Sequence, residues 1–105
     1  MYEALYSRTF YEKKGSPRFR LIIEKIEEKC DLIRQAPYTA CHSERLKGNY
    51  RGKRSAQLDK RLRIIYMVCE ECMKQGDHQW NHKDCSDCVG TPVKCIRFID
   101  ITDYH

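Results

Sequence analysis

Two hydrophobic periods divide this chain and leave it few ways to fold. Phe19, Ile22, Ile23, Ile26, Cys30 and Ile33 recur at helical spacing, with Glu24, Lys25, Glu27, Glu28 and Lys29 on the polar side. Ser16-Pro17 suits the start of that helix, with serine as N-cap and proline in the first turn. Pro37 stops it, because the residue before a proline is pushed out of the helical region. Further on the period changes to two. Leu62, Ile64, Tyr66 and Val68 share one face of a strand, and Arg61, Arg63, Ile65 and Met67 share the other. Residues 94–102 form a further strand in which Ile96 and Phe98 oppose Arg97, Ile99 and Ile101. Residues 54–58 also alternate, and Asp59-Lys60 is a turn. Residues 2–9 read as a first strand and residues 38–45 as a loop. The sum is an α+β fold, with an N-terminal helix or helical hairpin packed on an antiparallel sheet. A chain of 105 residues is expected to form one domain, residues 1–105, with a core of modest size.

No apolar run approaches the roughly 20 residues of a membrane span. The start, Met1-Tyr2-Glu3-Ala4, lacks the basic and apolar regions of a signal peptide. The expected compartment is therefore the cytoplasm, with no membrane partner. The net charge of +5 is unevenly spread. Residues 69–92 hold two lysines against five acids and carry −3, while the remainder holds 18 basic against 10 acidic residues and carries +8. A basic body of this size suits RNA or DNA as partner, although a surface tuned for solubility has the same composition.

Five of the seven cysteines fall between positions 69 and 95. Residues 69–93 form an insert between the last two strands, far longer than a usual hairpin loop. It carries Cys69-x-x-Cys72 and Cys85-x-x-Cys88, separated by twelve residues. Each CxxC unit offers two thiolates from one tight knuckle, and two units complete the tetrahedron that zinc prefers. Cys95, His78 or His82 could each replace one of the four, and a reduced loop without metal is the alternative. Four cysteines leave no open coordination position, so the zinc is expected to be structural and to take no part in catalysis.

The basic body poses a chemical question. Cleaving RNA without metal needs a base for the 2′-hydroxyl, a cation for the charge that develops on the phosphate, and an acid for the leaving 5′-oxygen. Arg63 stands in the otherwise apolar run Leu62-Arg63-Ile64-Ile65-Tyr66, either as such a cation or as an edge residue whose head reaches water. His105 follows a strand, and its ordinary pKa of about 6.5 suits proton transfer near neutrality. An exposed terminal histidine can equally be a frayed end.

The stretch Leu46-Lys47-Gly48-Asn49, followed by Gly52, Ser55, Arg63-Ile64-Ile65-Tyr66 and the ending Asp103-Tyr104-His105, resembles the RelE/ParE superfamily of type II toxin–antitoxin systems. The central block is most similar to the YoeB and HigB branches, and the ending to HigB. The resemblance covers about residues 2–68 and 94–105, and only the central block and the tail are specific. It implies a helical N-terminus on a curved antiparallel sheet. It also implies an endoribonuclease that cuts mRNA in the ribosome by 2′-hydroxyl attack, giving a 2′,3′-cyclic phosphate without metal. The implied partners are a cognate antitoxin, the ribosome and mRNA, with operator DNA reached only through the antitoxin complex. By position, Arg63 matches the arginine that stabilises the transition state. Asp103, Tyr104 and His105 match the terminal trio, with His105 transferring the proton. Glu44 matches a catalytic glutamate, and Lys47 a lysine that touches phosphate. Lys53, Arg54 and Arg61 are expected RNA contacts by charge and place. The chain departs from the pattern at Lys53 and Arg54, where aromatic residues are frequent, and at Ala56 and Gln57, where YoeB-like proteins carry arginines. Two other functions fit parts of the sequence. A ParE-like gyrase inhibitor would generally lack the terminal histidine, and a zinc-ribbon nucleic-acid adaptor would make no use of the trio.

Overall fold

The computed structural model describes residues 1–47, 52–71 and 94–103. The first strand is shorter than the sequence suggests. β1 spans Glu3–Tyr6, and Ser7 then caps a helix, α1, over Arg8–Lys14. Ser7 is extended (φ −68°, ψ 159°), and its hydroxyl accepts the Phe10 N–H at 3.0 Å, satisfying one of the helix's free donors. Seven residues with only Phe10 buried give too little periodicity to be read beforehand. The helical stripe that follows begins as a 3-10 segment, Pro17–Ile22, and continues as α2, Ile23–Gln35. α2 buries Ile26, Cys30 and Ile33 and ends at Ala36, just before Pro37. The N-terminal layer is thus a helical hairpin. Residues 38–45, expected as a loop, contain a tight turn at Ala40–His42 and a short strand β2, Glu44–Arg45.

β3 (Arg54–Gln57), β4 (Leu62–Val68) and β5 (Cys95–Asp103) complete a five-stranded sheet of order β1-β5-β4-β3-β2. Pairing is antiparallel throughout except at one edge, where β1 lies parallel to β5. The helices carry the chain from β1 to β2 at the far edge of the sheet, and β3 and β4 bring it back to β5 beside β1. The Asp59 carboxylate closes the β3–β4 turn by accepting the N–H groups of Arg61 and Leu62, each at 2.8 Å.

β5 corrects the simple alternation. Ile65 pairs with Asp100, but the next residue, Tyr66, pairs with Phe98. Ile99 is therefore an extra residue, and this β-bulge shifts the phase of the strand. Ile101 consequently joins Ile96 and Phe98 on the core face, opposite Ile64, Val68 and Tyr66. The core lies between this face and the helices, where Phe10, Phe19, Ile26, Cys30 and Ile33 meet Ala56, Leu58 and Leu62 as well. Phe98 sits at its centre, with ring centroids 5.4 Å from Tyr6, 5.6 Å from Phe10 and 6.2 Å from Tyr66.

β1 ends at Tyr6, opposite Phe98, so the last part of β5 has a strand neighbour only on its β4 side. α1 covers that edge. The Ser7 hydroxyl donates to the Ile99 carbonyl at 2.6 Å, and the Lys13 ammonium to the Ile101 carbonyl at 3.0 Å. Lys13 also pairs with Asp100 at 2.6 Å.

Burial pushes the Cys30 thiol from 9.0 up to about 12. The native protein therefore holds this proton more tightly than the unfolded chain. Its contribution to stability is complete below the unfolded pKa and is lost as pH rises between about pH 9 and pH 12. Cys30 should resist alkylation in the native state, and denaturant titrations should give a shallower alkaline loss of stability in Cys30→Ala than in the wild type. Equal slopes in the two proteins would reject the buried-thiol assignment.

Candidate functional site

The face of the sheet opposite the core carries the candidate site. Cross-strand partners share a face. Glu44 of β2 pairs with Ser55 of β3, Ser55 with Ile65 of β4, and Arg63, two residues before Ile65, with Thr102 of β5. These side chains line a cleft of about 510 Å³, together with Lys13, Arg18 and Asp103.

Arg63 is the best-anchored residue there. Its Nε donates to Ser55 Oγ at 2.9 Å, and its Nη2 to the carbonyl oxygens of His42 at 3.1 Å and Ser55 at 3.3 Å. Glu44 Oε1 stands 3.7 Å from the same Nη2. The Arg63 side chain is 12% exposed and that of Glu44 59% exposed, so a held cation meets an accessible carboxylate. The edge-residue reading of Arg63 does not describe this geometry. Ser55 is 2% exposed and sits beneath the guanidinium.

The backbone pays for part of this arrangement. Cys41 and His42 both adopt left-handed conformations, with φ of 56° and 55°. Such conformations cost a non-glycine residue about 1–2 kcal/mol. They turn the chain sharply between α2 and β2 and bring the His42 carbonyl to Arg63.

The expected site residues divide. Arg63, Glu44 and Asp103 line one cleft. Lys47 is exposed just beyond β2, and Lys53 precedes β3, where its carbonyl accepts the Leu46 N–H at 3.0 Å. Arg61 is exposed at the β3–β4 turn. Tyr104 and His105 lie outside the described residues, as do Gly48 and Asn49 of the central block.

Arg54, expected as an RNA contact, takes part in an internal network. Its Nε donates to Glu71 Oε2 at 3.0 Å, with the two side chains 11% and 10% exposed. Its Nη1 donates to Ser43 Oγ at 3.1 Å, and its guanidinium lies 5.1 Å from the centre of the Tyr38 ring. Ser43 Oγ also meets the Tyr66 hydroxyl at 2.5 Å, and that hydroxyl donates to the Pro37 carbonyl at 2.5 Å. Tyr38 and Tyr2 both donate to Glu70 Oε1. Burial and the Glu70 hydrogen bond push the Tyr38 phenol up. Residues 69–71, a helical turn where the insert begins, are thereby tied to the body of the protein.

Of the expected zinc ligands, only Cys69 is among the described residues. Cys72, Cys85 and Cys88 lie outside them, as do His78 and His82. Cys69 and Cys95 are both buried and directly flank the facing pair Val68 and Ile96. Among the described residues no group of three or more potential ligands is placed to hold a metal.

Lys13 and Arg18 were not singled out by the sequence. Both come from the helical layer, and only the fold brings them to the cleft. Arg18 pairs with Asp103 at 2.7 Å. The general positive charge of the body was their only advance signal.

The fold, a helical hairpin on a five-stranded sheet, is similar to that of solved YoeB/ParE and YafQ toxins. Three solved structures illustrate the likeness. A YoeB/ParE toxin from Agrobacterium tumefaciens superposes with a TM-score of 0.67 at 14% identity, covering 98% of this chain and 99% of that one. YafQ from E. coli strain BL21(DE3) gives 0.63 at 14% identity, over 98% of this chain and 93% of that one. The YoeB–YefM complex from Staphylococcus aureus gives 0.62 at 17% identity, over 100% of this chain and 98% of that one. No protein-family model matches the chain, and no curated protein sequence matches it either.

Proposed function

We propose that this protein is the toxin of a toxin–antitoxin pair and that it cleaves mRNA on the ribosome by attack of a 2′-hydroxyl on the adjacent phosphate. The observation that carries the reading is the anchored Arg63 guanidinium beside the accessible Glu44 carboxylate in a cleft of the sheet. In this mechanism Glu44 takes the 2′-hydroxyl proton. Arg63, fixed in advance by Ser55 and His42, stabilises the charge that accumulates on the phosphate oxygens. His105 protonates the leaving 5′-oxygen, and the product is a 2′,3′-cyclic phosphate. His105 follows Asp103 by two residues, at most about 7 Å of chain, and Asp103 lines the cleft. The steps need no metal. An antitoxin partner is supported by the fold's occurrence in a YoeB–YefM complex.

The test is to express the wild type and His105→Ala in a bacterium and to map 5′ ends on translated and untranslated copies of one message. New ends should appear only on the translated copy and only with the wild type. Equal toxicity of both proteins, or unbroken mRNA in poisoned cells, would remove the nuclease reading.

The insert's four cysteines are proposed to bind one structural zinc ion through Cys69, Cys72, Cys85 and Cys88. The purified protein should contain about one zinc per chain by elemental analysis. Cys72→Ser should lose the metal and some stability while keeping mRNA cleavage. A metal-free wild type purified without chelator would reject the site.

A further inference from the structure

Arg18 occupies a ridge between two hollows. On one side is the Arg63 cleft, and on the other a smaller cavity of about 320 Å³ lined by Asp59, Arg61 and Leu62. Arg18 and Asp103 line both. A cation at each station marks out a track: Arg63 in the cleft, Arg18 on the ridge and Arg61 in the second hollow.

The three arginines are held differently. Arg63 is nearly enclosed, hydrogen-bonded to the Ser55 and His42 oxygens with the Glu44 carboxylate 3.7 Å away. Arg18 projects from the 3-10 segment after Pro17, with its guanidinium 5.1 Å from the centre of the buried Phe19 ring and its outer edge on the Asp103 carboxylate at 2.7 Å. The Arg18 and Asp103 side chains are 64% and 51% exposed, so their pair is weak in water and open to exchange. Lys13 nearby is committed to Asp100 and the Ile101 carbonyl. Arg61 is exposed and anchored through its backbone N–H on Asp59.

The geometry points to a second phosphate subsite, formed by Arg18 and Arg61. It holds a backbone phosphate of single-stranded RNA flanking the one at Arg63, and that phosphate displaces the Asp103 carboxylate from Arg18. A guanidinium donates to a phosphodiester oxygen as readily as to a carboxylate oxygen, so the exchange conserves the hydrogen bond that Arg18 now makes to Asp103. The inference rests on the RNA-cleaving reading above and adds to it a grip outside the reacting centre.

The experiment uses the whole protein and a fluorescent single-stranded RNA with 2′-O-methyl groups, which cannot be cleaved by 2′-hydroxyl attack. Affinity is measured by anisotropy across a range of salt. Arg18→Ala and Arg61→Ala should each weaken binding about tenfold at low salt. Each should also reduce the slope of log affinity against log salt by about 0.7. Arg18→Lys should restore the slope but only part of the affinity. Arg20→Ala, an exposed arginine outside both hollows, should match the wild type. Asp103→Asn should tighten binding severalfold, and the gain should shrink when Arg18 is alanine.

If the wild type binds this RNA and the two alanine variants match it in affinity and slope, the subsite is rejected while the nuclease reading stands. If the Asp103→Asn gain is undiminished without Arg18, the exchange is rejected. If the wild type neither binds RNA nor cleaves mRNA in cells, the parent reading fails and the subsite falls with it.

Discussion

Arg63→Ala is expected to lower mRNA cleavage about 100- to 1,000-fold, the usual loss when a preorganised donor to a developing anion is removed. Growth arrest on expression should disappear with it. The protein should remain folded. Arg63 lies on the cleft face, away from the core cluster, and water can reach the Ser55 and His42 oxygens it leaves behind. The more telling variant is Arg63→Lys. Lysine keeps the charge but lacks the fork that bonds Ser55 Oγ through one nitrogen and the His42 carbonyl through another. Its ammonium would be neither anchored nor aimed, so activity should stay closer to alanine than to the wild type. Cleavage assays of the three proteins at matched expression decide the matter. Wild-type activity in Arg63→Lys would reduce the residue to a general positive charge.

Arg54→Ala should act on the fold. Removing one member of a buried ion pair strands the other, at a typical cost of about 3–5 kcal/mol. Against a total stability of about 5–15 kcal/mol for a domain of this kind, that removes a large part of the margin. Glu71 is the stranded partner, and Ser43 and Tyr38 lose contacts too. Chemical denaturation of Arg54→Ala, Glu71→Leu and the double variant Arg54→Met/Glu71→Leu gives the test. Each single change should be costly, and the double change should recover most of the loss. A fully stable Arg54→Ala with weakened RNA binding would return Arg54 to the surface role its charge and position suggested.

These two arginines mark what was legible in the chain. Arg63 stood out by its apolar run and its place in the central block, whereas nothing near Arg54 in the sequence points to its partner, a carboxylate 17 residues further on. Ile26, Cys30 and Ile33, and the alternation from Leu62 to Val68, could be read because one face of each element must be buried. The central block with Arg63 could be read because its residue types are specific. The bulge at Ile99 could not, since the phase of β5 is set by its partner β4 and not by its own pattern. The parallel pairing of β1 was hidden for the same reason: pairing direction depends on the route of the chain through the other elements. Glu44 looked like a loop residue, and two residues of β2 are too few to show a period. Arg18 carried no local signal, because its meaning comes from a carboxylate 85 residues away.

The facing pair Val68 and Ile96 has a consequence for the cost of carrying the insert. The chain leaves the sheet at Val68 and returns to it at Ile96, its facing partner, so the entropy of joining these points is set by the number of residues between them. Closing a loop of about 25 residues instead of a turn of about three takes three doublings of length, or roughly 2 kcal/mol of chain entropy. The penalty is bounded and grows only with the logarithm of length. A β-sheet fold of this kind can therefore accept an excursion of this size and lose only a modest part of its stability.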